Sequence, residues 1–541
     1  MEKEIGLVVK SSPATVYVIA YEAPQVASYL YSETQDVKAV MVVTGVESID
    51  EAFSRAFDSS EARMIAKYAE SSRALKIIVR ATPVIDLKSK KRPQTLIPPR
   101  TPVYAASRDV LEEAFSVSYS GFAELYSDSP PLSWIRIGVL RSHPNVEVKV
   151  NVDAILSKHL AVLGSTGSGK SNMVAILVDR IAGLGGQVII IDAHAEYSDM
   201  KVMSRGSRLI HFKAKINPLK MSPSTLASML ISEPAATKQR SILRKAIRDL
   251  NALYLGTGHK KVEAEGTIEA LVKRADGELE LDVEESSGKR YLKGLYAKVM
   301  DLRDRLREDI GKRVFEDVLF KIGRTIEEDY DVYSTDEVDP VDQLGPGTIV
   351  DVDISPLPDA VRDEVVAYVC RQVLQKAMTR KLLPTLIVLE EAHLYLKSGH
   401  DTPAKQAIER IAREGRKYGV GLLVVSQRPR GLDPDVLSQI NSLCILRIMQ
   451  PEDQNYVKQY SEWLTEEMIA ALPTLERGEA ILVGEWVRMP VAVLIDKHEG
   501  KRRGATLSAT KTWIKAKQDV AEQLRREDEE EAMIKSAKDI F

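Results

Sequence analysis

The sequence has very little cysteine: only Cys370 and Cys444 occur among its 541 residues. Two cysteines exclude a framework of several disulfides, and they exclude a zinc site built from several thiolates. Such scarcity is typical of proteins that work in the reducing cytosol. We therefore predict a cytoplasmic location.

Long apolar runs are also missing. The longest, such as residues 420–425, fall far short of the ~20 apolar residues that a membrane-spanning helix needs. The first ten residues, MEKEIGLVVK, lack the layout of a secretory signal peptide. We therefore expect no membrane segment.

The sequence carries no large excess of charge, because 75 Lys and Arg residues face 78 Asp and Glu residues and leave a net charge of −3. This balance excludes a protein that coats nucleic acid through an overall positive charge. Any contact with DNA has to come from local basic clusters or from an assembly that concentrates them. Apolar residues make up 44% of the chain, enough to form several cores.

The first segment, residues 1–145, predicts a small β-barrel or sandwich. Short runs rich in Val, Ile and Tyr recur there, separated by polar or Gly- and Pro-containing turns. The Pro-rich stretch 93–102 predicts a loop. The predicted strands are Ile5–Val9, Thr15–Ile19, Val37–Val43, Leu75–Val79 and Ile135–Leu140. Nothing catalytic is visible in this segment, which favours docking or oligomerisation.

The remainder of the chain predicts an α/β core with an insertion. Residues 146–219 and 341–500 alternate apolar strands with helices, which indicates a mainly parallel sheet covered on both faces. Between them, residues 220–340 lose this alternation and predict a charged helical subdomain. Residues 501–541 predict a charged helical tail that cannot form a core of its own.

A phosphate-binding loop lies between the first strand and the first helix of this core. The spacing Gly164-x-x-x-x-Gly169-Lys170-Ser171 is the P-loop pattern, in which glycines let backbone N–H groups turn inward around phosphates. Lys170 is placed to reach the β- and γ-phosphates, and the Ser171 hydroxyl to ligate Mg²⁺. We expect ATP to be bound by Gly164, Ser165, Thr166, Gly167, Ser168, Gly169, Lys170, Ser171 and Asn172.

Two adjacent carboxylates follow another apolar strand, in the run LIVLEEAH. In a parallel sheet, strand ends of this kind meet the ligand at one edge. We expect Glu390 to hold Mg²⁺ directly or through water, and Glu391 to polarise the water that attacks the γ-phosphate. The alternative is that Glu390 and Glu391 are merely solvated acids at the end of a strand and have no catalytic function.

Polar residues near the next strand allow two interpretations. Arg413 and Arg416 follow each other three residues apart on a predicted helix, residues 404–417. Either could act on the phosphoryl group of a neighbouring subunit, although spacing alone favours ordinary surface ion pairs. Gln427 ends the strand. Its side chain could sense the γ-phosphate, or it could simply cap the end of the strand. His194 and His393 lack a second ligand at metal spacing and are expected to hydrogen bond.

The ordered set of motifs resembles the archaeal HerA ATPases, which are grouped with FtsK-type and conjugative coupling translocases. It comprises GSTGSGKS, IIIDAHAEY, INPL, LIVLEEAH and REGRKYGVGLLVVSQRP, preceded by the β-rich segment. The resemblance implies a homohexameric ring of RecA-like domains with double-stranded DNA in its channel and an N-terminal barrel. It also implies a NurA-like nuclease on the barrel face, further end-resection nucleases and a role in double-strand-break repair.

The same resemblance assigns roles to single residues. Asp192 corresponds to the acidic residue after the second core strand, and Glu391 to the catalytic carboxylate. Arg416 corresponds best to the arginine donated across the subunit interface, with Arg413 as the alternative, and Gln427 to the sensor. A final set, chosen only for its position in the loop after the carboxylates, is expected to line the DNA channel: Lys397 and His400.

Two other functions fit the same motifs. A regulatory ATPase could use the nucleotide to control assembly without moving DNA. A conjugation-type DNA pump would need a membrane partner, because the chain has no spanning segment of its own.

Overall fold

The computed structural model describes most of the chain. The described residues are 3–50, 75–115 without 90 and 92, 133–256 without 232 and 234, 285–500 without 329–331, 337, 338, 462 and 463, and the isolated residues 270, 272, 513, 514, 517 and 518. The predicted tail, residues 501–541, lies almost entirely outside them. Within the described residues, no helix is long and apolar enough to cross a membrane.

The N-terminal segment forms a closed antiparallel barrel of six strands, as predicted. The strand order is β1-β2-β5-β4-β3-β6. Alternate side chains such as Val16, Val18 and Met41 are fully buried and fill the interior. The strands are β1 (Glu4–Ser11), β2 (Val16–Ala20), β3 (Tyr29–Glu33), β4 (Lys38–Asp50), β5 (Leu75–Asp86) and β6 (Pro102–Ala105).

One expectation for this segment was confirmed and one was wrong. Residues 93–101 form the predicted loop, and β6 begins at Pro102, the last residue of the predicted stretch, since proline is tolerated at the first position of a strand. The predicted strand Ile135–Leu140 is β7 (Trp134–Leu140), and it belongs to the large sheet, where it pairs with the last core strand. Pairing of β6 with β1 and β3 closes the barrel, so no free edge remains for β7.

The second sheet has eleven strands in the order β11-β12-β10-β13-β14-β9-β15-β16-β17-β7-β8. Its first seven strands are parallel and the last four are antiparallel. The added strands are β8 (Glu147–Asn151), β9 (Leu160–Leu163), β10 (Gln187–Asp192), β11 (Arg208–Lys213), β12 (Thr348–Asp353), β13 (Thr385–Leu389), β14 (Val420–Ser426), β15 (Ser442–Ile445), β16 (Glu479–Gly484) and β17 (Val491–Ile495).

The central parallel strands are buried along their whole length, which explains their continuous apolar runs. Because they all run the same way, their carboxyl ends meet at one edge, which we call the carboxyl edge. Their starts form the opposite, amino edge. The fold is therefore the predicted α/β core with a mainly parallel sheet, and its loops gather at two separate edges.

Helices flank the sheet, and four helices of the described residues lie in the predicted insertion between β11 and β12. Buried leucines and isoleucines such as Leu243, Ile247 and Leu295 hold the insertion together. The described helices are α1 (Arg108–Phe115), α2 (Val152–Lys158), α3 (Lys170–Gly183), α4 (Pro223–Leu230), α5 (Thr237–Gly256), α6 (Ser287–Ile310), α7 (Lys312–Glu328), α8 (Asp359–Met378), α9 (Pro403–Glu414), α10 (Pro434–Leu437), α11 (Pro451–Gln459) and α12 (Glu466–Ala471).

Candidate nucleotide site at the carboxyl edge

The glycine loop spans the gap between β9 and α3 at the carboxyl edge. Gly167 and Gly169 have φ values of 76° and 116°, a region in which side chains are strained, so glycine is required there. The Ser168 hydroxyl donates to Ser165 O at 2.7 Å. The Ser165 N–H and hydroxyl both donate to Arg447 O, at 2.8 and 2.9 Å. The loop is thus held in a curved shape before any ligand arrives.

Lys170 is the first residue of α3, and only 8% of it is exposed. Its Nζ donates to Gly164 O at 2.9 Å and to Ser165 O at 3.3 Å, so the ammonium group lies against the loop. Burial lowers the pKa of Lys170, while the carboxylates of Glu391 and, more weakly, Glu390 oppose the shift. These contacts place a desolvated positive charge where a phosphate would bind.

The two residues that follow Lys170 in α3 contact different partners. The Ser171 hydroxyl donates to the carboxylate of Glu196, a residue that the sequence patterns did not single out. The Asn172 side chain donates to Asp496 O at 2.8 Å and accepts from the His498 N–H at 3.0 Å. Its side chain therefore holds the segment after β17 against α3, and the prediction that Asn172 contributes to ATP binding then concerns its backbone.

Asp192, at the end of β10, is fully buried. Its two carboxylate oxygens accept from the His194 N–H at 3.0 Å and the Tyr197 N–H at 2.9 Å. Burial and the nearby Asp351 raise the pKa of Asp192 to about 7. The hydrogen bonds show what Asp192 does in this structure: it fixes the turn that carries residues 193–197.

The two adjacent glutamates after β13 have opposite environments. Glu390 is 6% exposed and accepts from the Tyr197 hydroxyl, and burial raises its pKa to about 8. Glu391 is also buried, which acts to raise its pKa, but His393 and Lys170 outweigh this effect and the net shift is downward. Such divergence typically separates a group that stays ionised from one that does not. The directions of the two pKa shifts favour the ionised form of Glu391, which is the form that a general base needs.

Gln427 connects the strand end of β14 to both the loop and the base. Its side-chain Oε1 accepts from the Thr166 hydroxyl, and its backbone N–H helps to lower the pKa of Glu391. The structure therefore brings together most of the predicted site residues at one edge. These are Gly164, Ser165, Thr166, Gly167, Ser168, Gly169, Lys170, Ser171, Asp192, Glu390, Glu391 and Gln427.

The two arginines lie elsewhere. The helix predicted to reach residue 417 ends at Glu414, and Arg416 lies in a 3₁₀ turn, Gly415–Tyr418, that leads into β14. The Val420 carbonyl comes so close to position 415 that a side chain there would collide with it, which explains the glycine in this turn. This turn is at the amino edge. The seven residues of β14 separate it from the carboxyl edge by roughly 20 Å at about 3.3 Å per residue.

Arg413 and Arg416 differ in their partners. Arg413 forms the exposed ion pair with Glu409 that spacing alone favoured, at 3.2 Å. Arg416 is exposed and has no ion pair among the described residues. Lys397 and His400 lie exposed in the loop before α9, where the His400 N–H donates to Lys397 O. None of these four side chains belongs to the chain's own phosphate cradle.

Comparison with known proteins decides the family. Residues 135–373 match the family model described as helicase HerA, central domain. The chain is 35% identical over 395 residues to the DNA double-strand break repair helicase HerA of Sulfurisphaera tokodaii, covering 72% of this chain and 74% of that one. The protein of the same name from Sulfolobus acidocaldarius is 34% identical over 426 residues, or 77% of each chain. The chain belongs to the HerA helicase family.

A wider comparison adds one nearly full-length relative and one solved structure. A probable helicase of Methanocaldococcus jannaschii is 28% identical over 513 residues, covering 92% of this chain and 91% of the relative. The solved structure of VirB4 from Thermoanaerobacter pseudethanolicus aligns with 68% of this chain and 97% of its own, at 20% identity and a TM-score of 0.46.

Three residues of this HerA family chain escaped the sequence patterns. Glu196 and Tyr197 follow a strand by a few residues, and their partners Ser171 and Glu390 are far away in sequence. Arg447 follows β15, the strand beside β9, and its Nε is buried without a hydrogen-bond partner among the described residues. The sequence does contain a pattern that would have indicated these three residues, because each of them follows an apolar strand whose carboxyl end adjoins the loop.

His159 links the start of β9 to α9 and β14 near the amino edge of the core. It precedes β9; its Nε2 donates to Ala412 O on α9 and its Nδ1 accepts from the Leu422 N–H on β14, both at 3.0 Å. The ring is buried and has to be neutral to make both bonds. Burial lowers the pKa of His159 below the usual 6.5, although the bond to Ala412 opposes the shift.

This histidine makes stability pH-dependent. Because the unfolded chain binds the proton more readily, the contribution of His159 is complete above pH 6.5 and is lost as the pH falls towards the lowered folded value. His159→Gln keeps a donor and an acceptor but does not titrate. Thermal melts between about pH 7 and pH 5 should show a steeper loss of stability in the wild type than in the variant. Parallel curves would contradict this role.

Proposed function

We propose that this chain is an ATP-dependent motor that moves double-stranded DNA through a homohexameric ring. The observation that carries the proposal is the division of the site between two edges of the sheet. The loop, Glu391 and Gln427 lie at the carboxyl edge, while the exposed Arg416 lies at the amino edge. One chain cannot combine them, but two neighbours in a ring can.

The groups at the carboxyl edge support a hydrolysis mechanism. Backbone N–H groups of the loop and Lys170 hold the phosphates, and Glu391 takes a proton from the attacking water. Gln427 accepts a hydrogen bond from Thr166, and its backbone N–H helps to lower the pKa of Glu391, so it links the state of the loop to the base. Arg416 from a neighbour then neutralises charge on the transferring phosphoryl group, which makes turnover depend on assembly.

The donor chemistry fits Mg²⁺. The Ser171 hydroxyl and carboxylates supply the oxygen ligands that this ion prefers. Among the described residues, no three His, Cys, Asp or Glu side chains lie close enough to hold a metal by themselves. The nucleotide would therefore provide the remaining ligands, and the bound ion would stabilise charge on the β- and γ-phosphates.

The family supports a role in DNA repair. The relatives from Sulfurisphaera tokodaii and Sulfolobus acidocaldarius are both named as DNA double-strand break repair helicases. We infer that this chain acts in the resection of broken DNA ends with a NurA-like nuclease docked on the barrel, and with further resection nucleases. Six copies of Lys397 and His400 lining a channel would reconcile DNA binding with the net charge of −3.

Duplex DNA should stimulate ATP hydrolysis at low salt, and the stimulation should fall steeply as salt rises, because phosphate contacts release counterions. Phosphate release measured with and without duplex, over a range of salt concentrations, tests this. Lys397→Ala with His400→Ala should weaken the stimulation and its salt dependence, whereas the exposed Lys201→Ala serves as a matched control. Turnover indifferent to DNA at every salt concentration would favour the regulatory ATPase instead.

A further inference from the structure

A carboxylate that no sequence pattern singled out lies at the metal side of the phosphate loop. The Ser171 hydroxyl donates to Glu196 Oε2, although the two residues are 25 positions apart. Resting on the function proposed above, we propose that Glu196 is the carboxylate that completes the Mg²⁺ site with Ser171. Glu390, the expected metal residue, has a different task.

The turn after β10 is built to hold Glu196 in this position. Asp192 accepts the backbone N–H groups of His194 and Tyr197, one on each side of Glu196. Ala195 has a φ of 55°, a conformation that a non-glycine residue adopts only when its surroundings impose it. Glu196 is therefore fixed by its neighbours on both sides, and its half-buried side chain is delivered to the first turn of α3.

Glu390 acts as the outer support of this turn. Its carboxyl accepts from the Tyr197 hydroxyl, and both side chains are buried, Tyr197 completely. A carboxyl group committed to a buried phenol is poorly placed for an ion that keeps several waters in its shell. Glu196 is half-buried and reaches the loop hydroxyl directly. The structure thus assigns the contact with the metal to Glu196, and the support of Tyr197 to Glu390.

The small number of protein ligands agrees with this assignment. Mg²⁺ in ATPases is held by one or two carboxylates together with substrate phosphates and water. Ser171 and Glu196 supply one hydroxyl and one carboxylate, and the described residues offer no larger cluster that could compete for the ion. Mg²⁺ binding would replace the Ser171–Glu196 hydrogen bond with two bonds to the same ion or to its waters.

The alternative is that Glu196 merely caps the start of α3, where a negative side chain is favourable. Glu196→Gln separates the two roles. Glutamine keeps the length and a carbonyl acceptor for Ser171 but removes the charge that a cation needs. A structural acceptor tolerates this change, whereas a metal carboxylate does not.

The experiment measures nucleotide affinity and not turnover. A non-hydrolysable ATP analogue is titrated into the full chain with Mg²⁺ and again with chelator, and the ratio of the two dissociation constants is the gain due to the metal. Glu196→Gln should reduce that gain by about 10- to 100-fold and leave the affinity in chelator unchanged. Mn²⁺ titrations followed by electron paramagnetic resonance should show the same loss of metal affinity.

Two further variants keep the test decisive. Glu414→Gln, an exposed acid at the amino edge, should behave as the wild type. An undiminished gain in Glu196→Gln, or a loss confined to Glu390→Gln, would overturn the assignment. A wild type that gains from Mg²⁺ but shows no stimulation by DNA leaves the assignment standing and removes only the DNA motor.

Discussion

Lys170→Ala should abolish ATP hydrolysis, with turnover reduced by at least ~10²–10³-fold, because one preorganised charge at the reacting phosphate is worth that much. The protein should still fold. The Nζ atom bonds only to Gly164 O and Ser165 O among the described residues, and each such bond contributes about 0.5–1.5 kcal/mol. Removing a buried ammonium also removes its desolvation cost, which offsets part of that loss. Phosphate release and thermal melts measure the two effects.

Two additional variants serve as controls for this prediction. Lys170→Met keeps the aliphatic stem and fills the space, so it reports on charge even if the alanine variant unfolds. Lys201→Ala makes the same substitution at an exposed position and should leave turnover unchanged. Normal turnover in a folded Lys170→Met protein would show that the loop is not the phosphate site.

The residues that gather at the carboxyl edge were predictable, because the functional residues of a parallel sheet follow the carboxyl ends of its strands. Continuous apolar runs mark β9, β10, β13 and β14, and the residues that follow them meet at one edge wherever the strands run parallel. That rule alone places Asp192, Glu391 and Gln427 beside the loop. It needs no knowledge of the turns between the elements.

The surroundings of Glu390 and Glu391 were not predictable. We expected Glu390 to hold Mg²⁺ and Glu391 to polarise the water, but two adjacent positions in a sequence do not show which partners each side chain meets. Their difference comes from Tyr197, 193 positions from Glu390, and from a φ of 46° that turns Glu391 away from its neighbour. Contacts of this range are set by the packing of the whole sheet, and side-chain roles that depend on them emerge only in three dimensions.

The predicted boundary of the barrel was wrong for a related reason. Strand β7 has the same composition as the barrel strands, and its apolar residues, such as Ile137 and Leu140, look equally suited to either sheet. The choice depends on whether an unpaired strand edge is available. The barrel has none after β6 pairs with β1 and β3, whereas β17 has one.

Mixing two inactive variants should restore ATP hydrolysis. Arg416→Ala should lower turnover by ~10³–10⁵-fold if this arginine acts on a neighbour's phosphoryl group. Glu391→Gln should be equally silent, because it removes the base but leaves Arg416 intact. In a mixed ring, an Arg416→Ala chain supplies an intact carboxyl edge and a Glu391→Gln chain supplies the arginine. With random assembly at equal amounts, about a quarter of the interfaces would hold both groups.

We expect this complementation to be specific to Arg416. Arg413 is paired with Glu409 on α9, so Arg413→Ala should remove only an exposed ion pair, worth a few tenths of a kcal/mol, and leave turnover near the wild-type level. Phosphate release is measured across mixing ratios after the rings are dissociated and reassembled, with particle mass confirming assembly. Silence at every ratio in well-formed mixed rings would return the arginine role to Arg413 or to another residue. Because Arg416 lies an entire strand length from its own loop, activity that appears only in mixtures has one structural explanation: each site is completed by the next chain in the ring.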